Sequence, residues 1–210
     1  MDIDAFSTIS ILIPTIVGIF LFSKVPSSIK LVIYYVWVTT VLDAIVFYLG
    51  LNSINNLYLF HVHTYIEFSF ILVLFGNLIQ SKRKVHVLNL AGGLFLTISI
   101  FLLAFHQDFS QFNSVQRHIE GFFVTLIILF FLAQQSMGVK RLTNTPINVL
   151  SWALLLYFGG NLFVFALGDV ILTTGGGEMW VIHGILNIIL NVVFAYVILA
   201  SRNTYKHPAK

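Results

Sequence analysis

The stretch LYLFHVHTYIEFSFILVLFGNLI, Leu57 to Ile79, decides how the chain is read. About 20 apolar residues, as a helix, cross a bilayer, and this stretch has that length. Its second half is almost purely apolar. Its first half carries His61, His63 and Glu67. An ionisable group at the centre of a bilayer costs roughly 2.5–3.5 kcal/mol on insertion scales, so three in one span ask for a reason. Composition settles what surrounds the stretch. The 210 residues are 58% hydrophobic and 9% charged, and their mean hydropathy is +0.94. A water-soluble domain carries about 25% charged residues. This chain cannot cover a wet surface, so lipid is its solvent. Barrel strands would alternate apolar and polar residues, which leaves helices as the spanning form.

Read at that length, the chain divides into seven spans near Ala5–Ser23, Leu31–Leu51, Leu57–Ile79, Val87–Phe105, Arg117–Ser136, Asn148–Gly168 and Glu178–Ala200. The connections hold the polar residues and breakers, as in SKVPSSIK, NSINN, QSKRK, HQDFSQFNSVQ, MGVKRLTNTP and DVILTTGGG. No stretch is polar and long enough for a separate soluble unit, so residues 1–210 form a single all-α transmembrane domain. Asp2 and Asp4 stand before the first apolar run, where a secretory signal would carry positive charge, so that run is expected to be a span. The absence of cysteine excludes disulfides and thiolate chemistry.

Direction follows from the basic residues. Lys24, Lys30, Lys82, Arg83, Lys84, Lys140, Arg141, Arg202, Lys206 and Lys210 fall on one side, and only Arg117 on the other. The positive-inside rule makes the first side cytoplasmic, with the N-terminus outside and the C-terminus inside, as for a bacterial inner-membrane protein. The net charge of +3 then belongs to topology and lipid headgroups, and no nucleic-acid partner is implied. The acids lie oppositely: Asp2, Asp4, Asp108, Asp169 and Glu178 at the outer surface, Asp43, Glu67 and Glu120 within spans but none in the inner half.

Spans two and three resemble spans six and seven. DAIVFYLG (Asp43–Gly50) aligns with NLFVFALG (Asn161–Gly168), and YLFH (Tyr58–His61) with WVIH (Trp180–His183). Parallel repeats over 5–79 and 117–200, joined by a linker helix at 87–105, give a three-plus-one-plus-three plan of the kind found in some transporters. His61 and His183 then occupy matching positions.

Each helical residue turns about 100°. From His61, Thr64 lies about 60° away, Glu67 about 120° and His63 about 160°, so His61 and Glu67 share a broad face while His63 points nearly opposite to His61. His183, Asn187 and Asn191 recur every four residues and form a stripe that should face the bundle interior, either as part of a site or as interhelical hydrogen bonding. Arg117 and Glu120 are spaced to pair, with the arginine expected to snorkel outward. Tyr157 and Asn161 sit four apart beside Gly159–Gly160, which permits a close helix approach. Together His61, Glu67, Glu120, Asn161, His183 and Asn187 are the candidate ligand-binding residues of one cavity in the outer half. Glu67 should be neutral or paired, for instance with a histidine or Arg117.

Several chemistries are compatible with these groups. A retinal pump is excluded, because the seventh span has no lysine for a Schiff base. His61, His183 and Glu67 are acceptable zinc ligands, as in a membrane-embedded hydrolase acting on lipid, although the last helix offers His183 and Asn187 where the known group has paired histidines. His61 and His183 are also a pair that a haem would take. A small-solute transporter suits the repeat, but the inner half offers little polar lining for an exit.

The chain also resembles a group of uncharacterised bacterial seven-helix inner-membrane proteins, through NNLYLFHVHTYIEF in span three, LYFGGNLFVF in span six and WVIHGILNIILN in span seven. The resemblance implies that His61, Glu67, Glu120, Asn161, His183 and Asn187 are characteristic positions. Members are often encoded beside sensor kinases, which implies a sensory or receptor-like role with a kinase-type partner. The cytoplasmic connections are too short to hold an effector domain, so that role requires such a partner.

Overall fold

The computed structural model describes residues 3–79, 82–105, 108–136, 145–167 and 177–202. Among them there are helices and no strands, and seven helical segments are long and apolar enough to cross a membrane. The first span is broken in two, α1 (Ile3–Ser10) and α2 (Leu12–Leu21). Pro14 explains the break. It has no N–H for the Ser10 carbonyl, and its ring crowds that carbonyl, so the chain interrupts the helix at Ile11. Thr15 holds the joint, donating its N–H and its hydroxyl to the Ile11 carbonyl at 3.2 and 2.8 Å.

The second span is α3 (Ser27–Leu51), opened by Pro26 in an extended conformation. Its carbonyl accepts the N–H groups of Ile29 and Lys30 at 3.0 and 3.1 Å, and proline at a helix start sacrifices no donor. At the other end the NSINN connection is a compact cap. Ser53 takes a left-handed φ of 55°, Ser53 N–H reaches Gly50 O and Ile54 N–H reaches Leu49 O, each at 3.0 Å. This is the paired bonding of a Schellman motif with serine where glycine is usual. The side chain of Asn52 donates to Tyr48 O and that of Asn56 to Val46 O, so the polar residues of the loop finish the helix end.

The remaining spans are α4 (Tyr58–Leu78), α5 (Lys82–Phe105), α6 (Ser114–Ser136), α7 (Thr145–Ala166) and α8 (Gly177–Ser201). Helices begin earlier than hydropathy suggests: α3 includes Lys30, α5 includes Lys82, Arg83 and Lys84, and α6 starts at Ser114. Charged residues end the apolar run without ending the helix. The connections MGVKRLTNTP and DVILTTGGG lie largely outside the described residues.

Six spans form a closed ring. The first packs on α3, α3 on α4, α4 on α6, α6 on α7, α7 on α8, and α8 returns to α1 and α2. The fourth span, α5, stays outside the ring against α4 and α6. Gly160 lets α7 and α8 come close: a Cβ there would lie 2.7 Å from Leu186 Cδ1. The outer faces are apolar, with Phe163 76%, Phe105 71% and Leu90 70% exposed, a surface suited to lipid and not to water.

The ring's interior has two unlike halves. Toward the C-terminal ends of α4, α6 and α8 it is filled by apolar side chains such as Ile71, Phe75, Ile128, Phe131, Val197 and Ile198. Phe68 stacks on Phe95 of α5 at 3.9 Å between ring centroids, and Phe75 meets Phe131 edge-on at 4.9 Å. Glu67, Arg117 and Glu120, all buried, lie nearer the opposite end, under the connections at 52–57 and 108–113.

Candidate functional site

The site grows from one carboxylate. Glu67 lies near the middle of α4 and is buried. Its Oε1 accepts the hydroxyl of Tyr35 from α3 at 3.0 Å. Its Oε2 accepts Nη1 of Arg117 from α6 in a short ion pair. The same Nη1 donates to Glu120 Oε2 at 2.9 Å, so one guanidinium serves two carboxylates. The guanidinium also lies 4.9 Å from the centre of the Phe165 ring. The pairing of Arg117 with Glu120 and the pairing of Glu67 follow from the sequence. The outward snorkelling does not: Arg117 is 4% exposed, because two carboxylates inside the ring hold it there.

Beside this cluster is a cavity of about 90 Å³ at the centre of the ring. Every ring span contributes to its wall: Ile11, then Tyr35, Thr39 and Asp43 of α3, Phe60, His63 and Glu67 of α4, Arg117, Tyr157, and His183, Asn187 and Asn191 of α8. Span four contributes nothing. On α3 the lining residues Tyr35, Thr39 and Asp43 recur every four residues, as His183, Asn187 and Asn191 do on α8. Two polar stripes therefore descend into one space.

The stripe of α8 is also bonded to its neighbours. Asn187 Nδ2 donates to Ser7 Oγ at 2.9 Å and Asn191 Nδ2 to Ser10 Oγ at 2.8 Å, so both asparagines tie the last span to the first. Asn161 Nδ2 donates to Tyr157 O at 2.8 Å, which leaves its Oδ1 as acceptor 3.1 Å from His183 Nδ1. A main-chain carbonyl fixes the amide, and the amide fixes the imidazole proton on Nδ1, leaving Nε2 as an acceptor in the neutral ring. Tyr157, Phe165 and Trp180 surround that ring at centroid distances of 5.5–6.0 Å.

His61 has a different place. Its Nε2 lies 3.2 Å from the Gln111 carbonyl and its Nδ1 3.0 Å from the Gln116 side chain. Thr64 and the Phe60 carbonyl receive Asn113 Nδ2 at 2.8 and 3.1 Å. This face of α4 thus fastens the connection before α6, whose Phe112 and Asn113 are buried; non-helical backbone at such a depth survives where the protein supplies its partners. At the loop's exposed start, the Ser110 N–H donates to Asp108 at 2.9 Å and holds that carboxyl below its ordinary range.

Of the six residues expected to share a cavity, Glu67, His183 and Asn187 line it. Asn161 and Glu120 stand behind it, supporting His183 and Arg117. His61 does not line it, and the matched pair His61 and His183 face different neighbours. His63 takes the place at the wall, its Nδ1 3.6 Å from Glu67 Oε2. The signal was available: His63 and Glu67 are four apart, hence about 40° apart on one face. His61, His183 and Glu67 do not assemble as a zinc site, for the described residues hold no group of three or more His, Asp or Glu able to take a metal ion. His61 commits both ring nitrogens to α6 and its connection.

Among the described residues, four buried polar atoms in and around the cluster have no hydrogen-bond partner: Thr39 Oγ1, His63 Nδ1, Arg117 Nε and Glu120 Oε1. Buried polar groups are normally bonded, so these atoms set the cluster apart from the rest of the interior. Compared with family models, curated proteins and solved structures, the chain matches none of them.

Proposed function

We propose that this is a receptor-like integral membrane sensor that binds a small ligand in the central cavity and passes the event to a cytoplasmic or membrane partner. The observation that carries the reading is the cavity wall itself: six spans converge on one polar space, with unpartnered polar atoms at its edge. A ligand bridging them changes the contacts of every ring helix at once, which is what a receptor needs to couple occupancy to shape.

The distribution of basic residues supports an outside N-terminus, which turns the polar half of the ring outward and the dry half toward the cytoplasm. The apolar filling of that second half favours a pocket with a floor over a solute path. The peripheral place of α5 supports the three-plus-one-plus-three plan, since the six remaining spans follow the ring order that a two-fold axis along the membrane normal would give. The kinase-type partner rests on the family resemblance and on connections too short to carry an effector.

Native mass spectrometry of the protein released from its own membrane tests the reading. Wild type should carry a small molecule, and Val36→Phe, which pushes a ring into the cavity, should not. Wild type without an adduct, or an adduct unchanged in Val36→Phe, would count against a cavity receptor.

A further inference from the structure

We infer that the cavity takes a small protonated amine, with Asp43 as its counter-ion. The inference rests on the receptor reading above and names the class of ligand. Its first support is charge. The cluster holds one guanidinium, on Arg117, against the carboxylates of Glu67 and Glu120, and Asp43 adds a third carboxylate to the wall. Arg117 already pairs with both glutamates through Nη1, so an incoming anion has to compete with them. An ammonium group entering beside Asp43 meets a carboxyl that no cation of the described residues pairs with, and low-dielectric walls make such a pairing strongly felt.

The second support is an independent polar atom. Thr39 is buried and lines the cavity beside Tyr35, yet among the described residues its hydroxyl makes no hydrogen bond of ordinary geometry, although Thr40 next to it donates to the carbonyl four residues back. Thr39 stands one helical turn from Asp43, so hydroxyl and carboxylate recur on one face of α3. That pair is what an ammonium group uses: an ionic partner and a hydroxyl acceptor. The rest of the wall suits a carbon chain, since Ile11, Val36, Leu190 and Phe194 line it.

Size and ligand geometry narrow the class. A cavity of roughly 150 Å³ holds benzene, and this one is about 90 Å³, room for a chain of about one to three carbons with its nitrogen. A bare divalent ion would want three or more His, Asp or Glu ligands, which the described residues do not gather. One carboxylate, one hydroxyl and an apolar wall match a primary alkylammonium better.

The test uses the full chain in detergent, in an amine-free buffer of constant ionic strength. Its melting temperature is read against methylammonium, ethylammonium and propylammonium chloride, with sodium chloride and sodium propionate as controls. The alkylammonium salts should raise it in a saturable way and the controls should not. Among the described residues Asp43 has no hydrogen-bond or ion-pair partner that its loss would orphan, so Asp43→Asn should fold and bind at least about 30-fold more weakly, as expected when a close charge partner is removed. Thr39→Val should fold and bind more weakly by a smaller factor. An ammonium response that persists in Asp43→Asn overturns the proposal. A response to propionate instead, lost in Val36→Phe, overturns the amine and leaves the cavity receptor standing. No response to any probe, with no adduct in the native protein, removes both.

Discussion

At the scale of the residue, the Arg117 trio sets the terms. Removing one partner of a buried ion pair costs about 3–5 kcal/mol, because the charge left behind has neither water nor counter-ion. Arg117→Met should therefore destabilise the protein by about that amount, as measured by unfolding in mixed micelles. Adding Glu67→Gln and Glu120→Gln to the same variant should recover most of the loss. Failure of the recovery would mean that the arginine acts through packing on Phe165 and not through charge. Tyr35→Phe removes a hydrogen bond to the Glu67 carboxylate and should cost about 1.5–3 kcal/mol. The pairing of Glu67 was legible, since an acid at mid-span must find a cation. Arg117 was legible as one candidate beside a histidine; the choice between them was not, because the reach of Arg117 depends on how deeply the 108–113 connection sits. His63 was legible as a neighbour of Glu67 at four-residue spacing, yet reckoning angles from His61 concealed it.

At the scale of the element, each helix end and joint has a chemical cause that short motifs reveal only in part. Pro14 stood in plain view within the first span, but hydropathy treats a proline-broken span and a continuous one alike. The Ser53 cap shows the reverse case, a loop whose polar residues are visible and whose geometry is not. A non-glycine residue in the left-handed region costs roughly 1–2 kcal/mol, of which glycine's extra chain freedom returns about half. Ser53→Gly should thus stabilise the end of α3 by about 0.5–1 kcal/mol and slow amide exchange at Ser53 and Ile54. The α7–α8 contact gives the opposite sign. Gly160→Val places atoms against Leu186 and should loosen the His183–Asn161 pair, visible as a lower melting temperature and a shifted imidazole resonance. An unchanged melting temperature would show that Leu186 yields freely.

At the scale of the molecule, the seven spans were legible because twenty apolar residues can hardly mean anything else in a chain this poor in charge. The order of the ring was not. Between helices in lipid no hydrophobic force distinguishes one apolar face from another, so neighbours are chosen by packing and a few hydrogen bonds that the linear pattern does not display. Orientation remains testable without any structure. The chain has no cysteine, so single cysteines report cleanly. Asn55→Cys should react with an impermeant maleimide on intact cells, and Lys30→Cys only after the membrane is opened; the reverse would invert the assignment.

The contact between Asn187 and Ser7 joins residues 180 positions apart, and Asn191 and Ser10 are joined across 181. These bonds close the ring, and they impose a timetable on biosynthesis. A nascent chain emerges span by span, so the first helix must wait in lipid for the greater part of translation, its two serines unmet by the last helix. Until then the pocket is an open groove facing acyl chains. Messages truncated before Gly177 should accordingly yield chains that insert but are cleared rapidly by membrane proteases, and supplying α8 as a separate peptide should extend their lifetime.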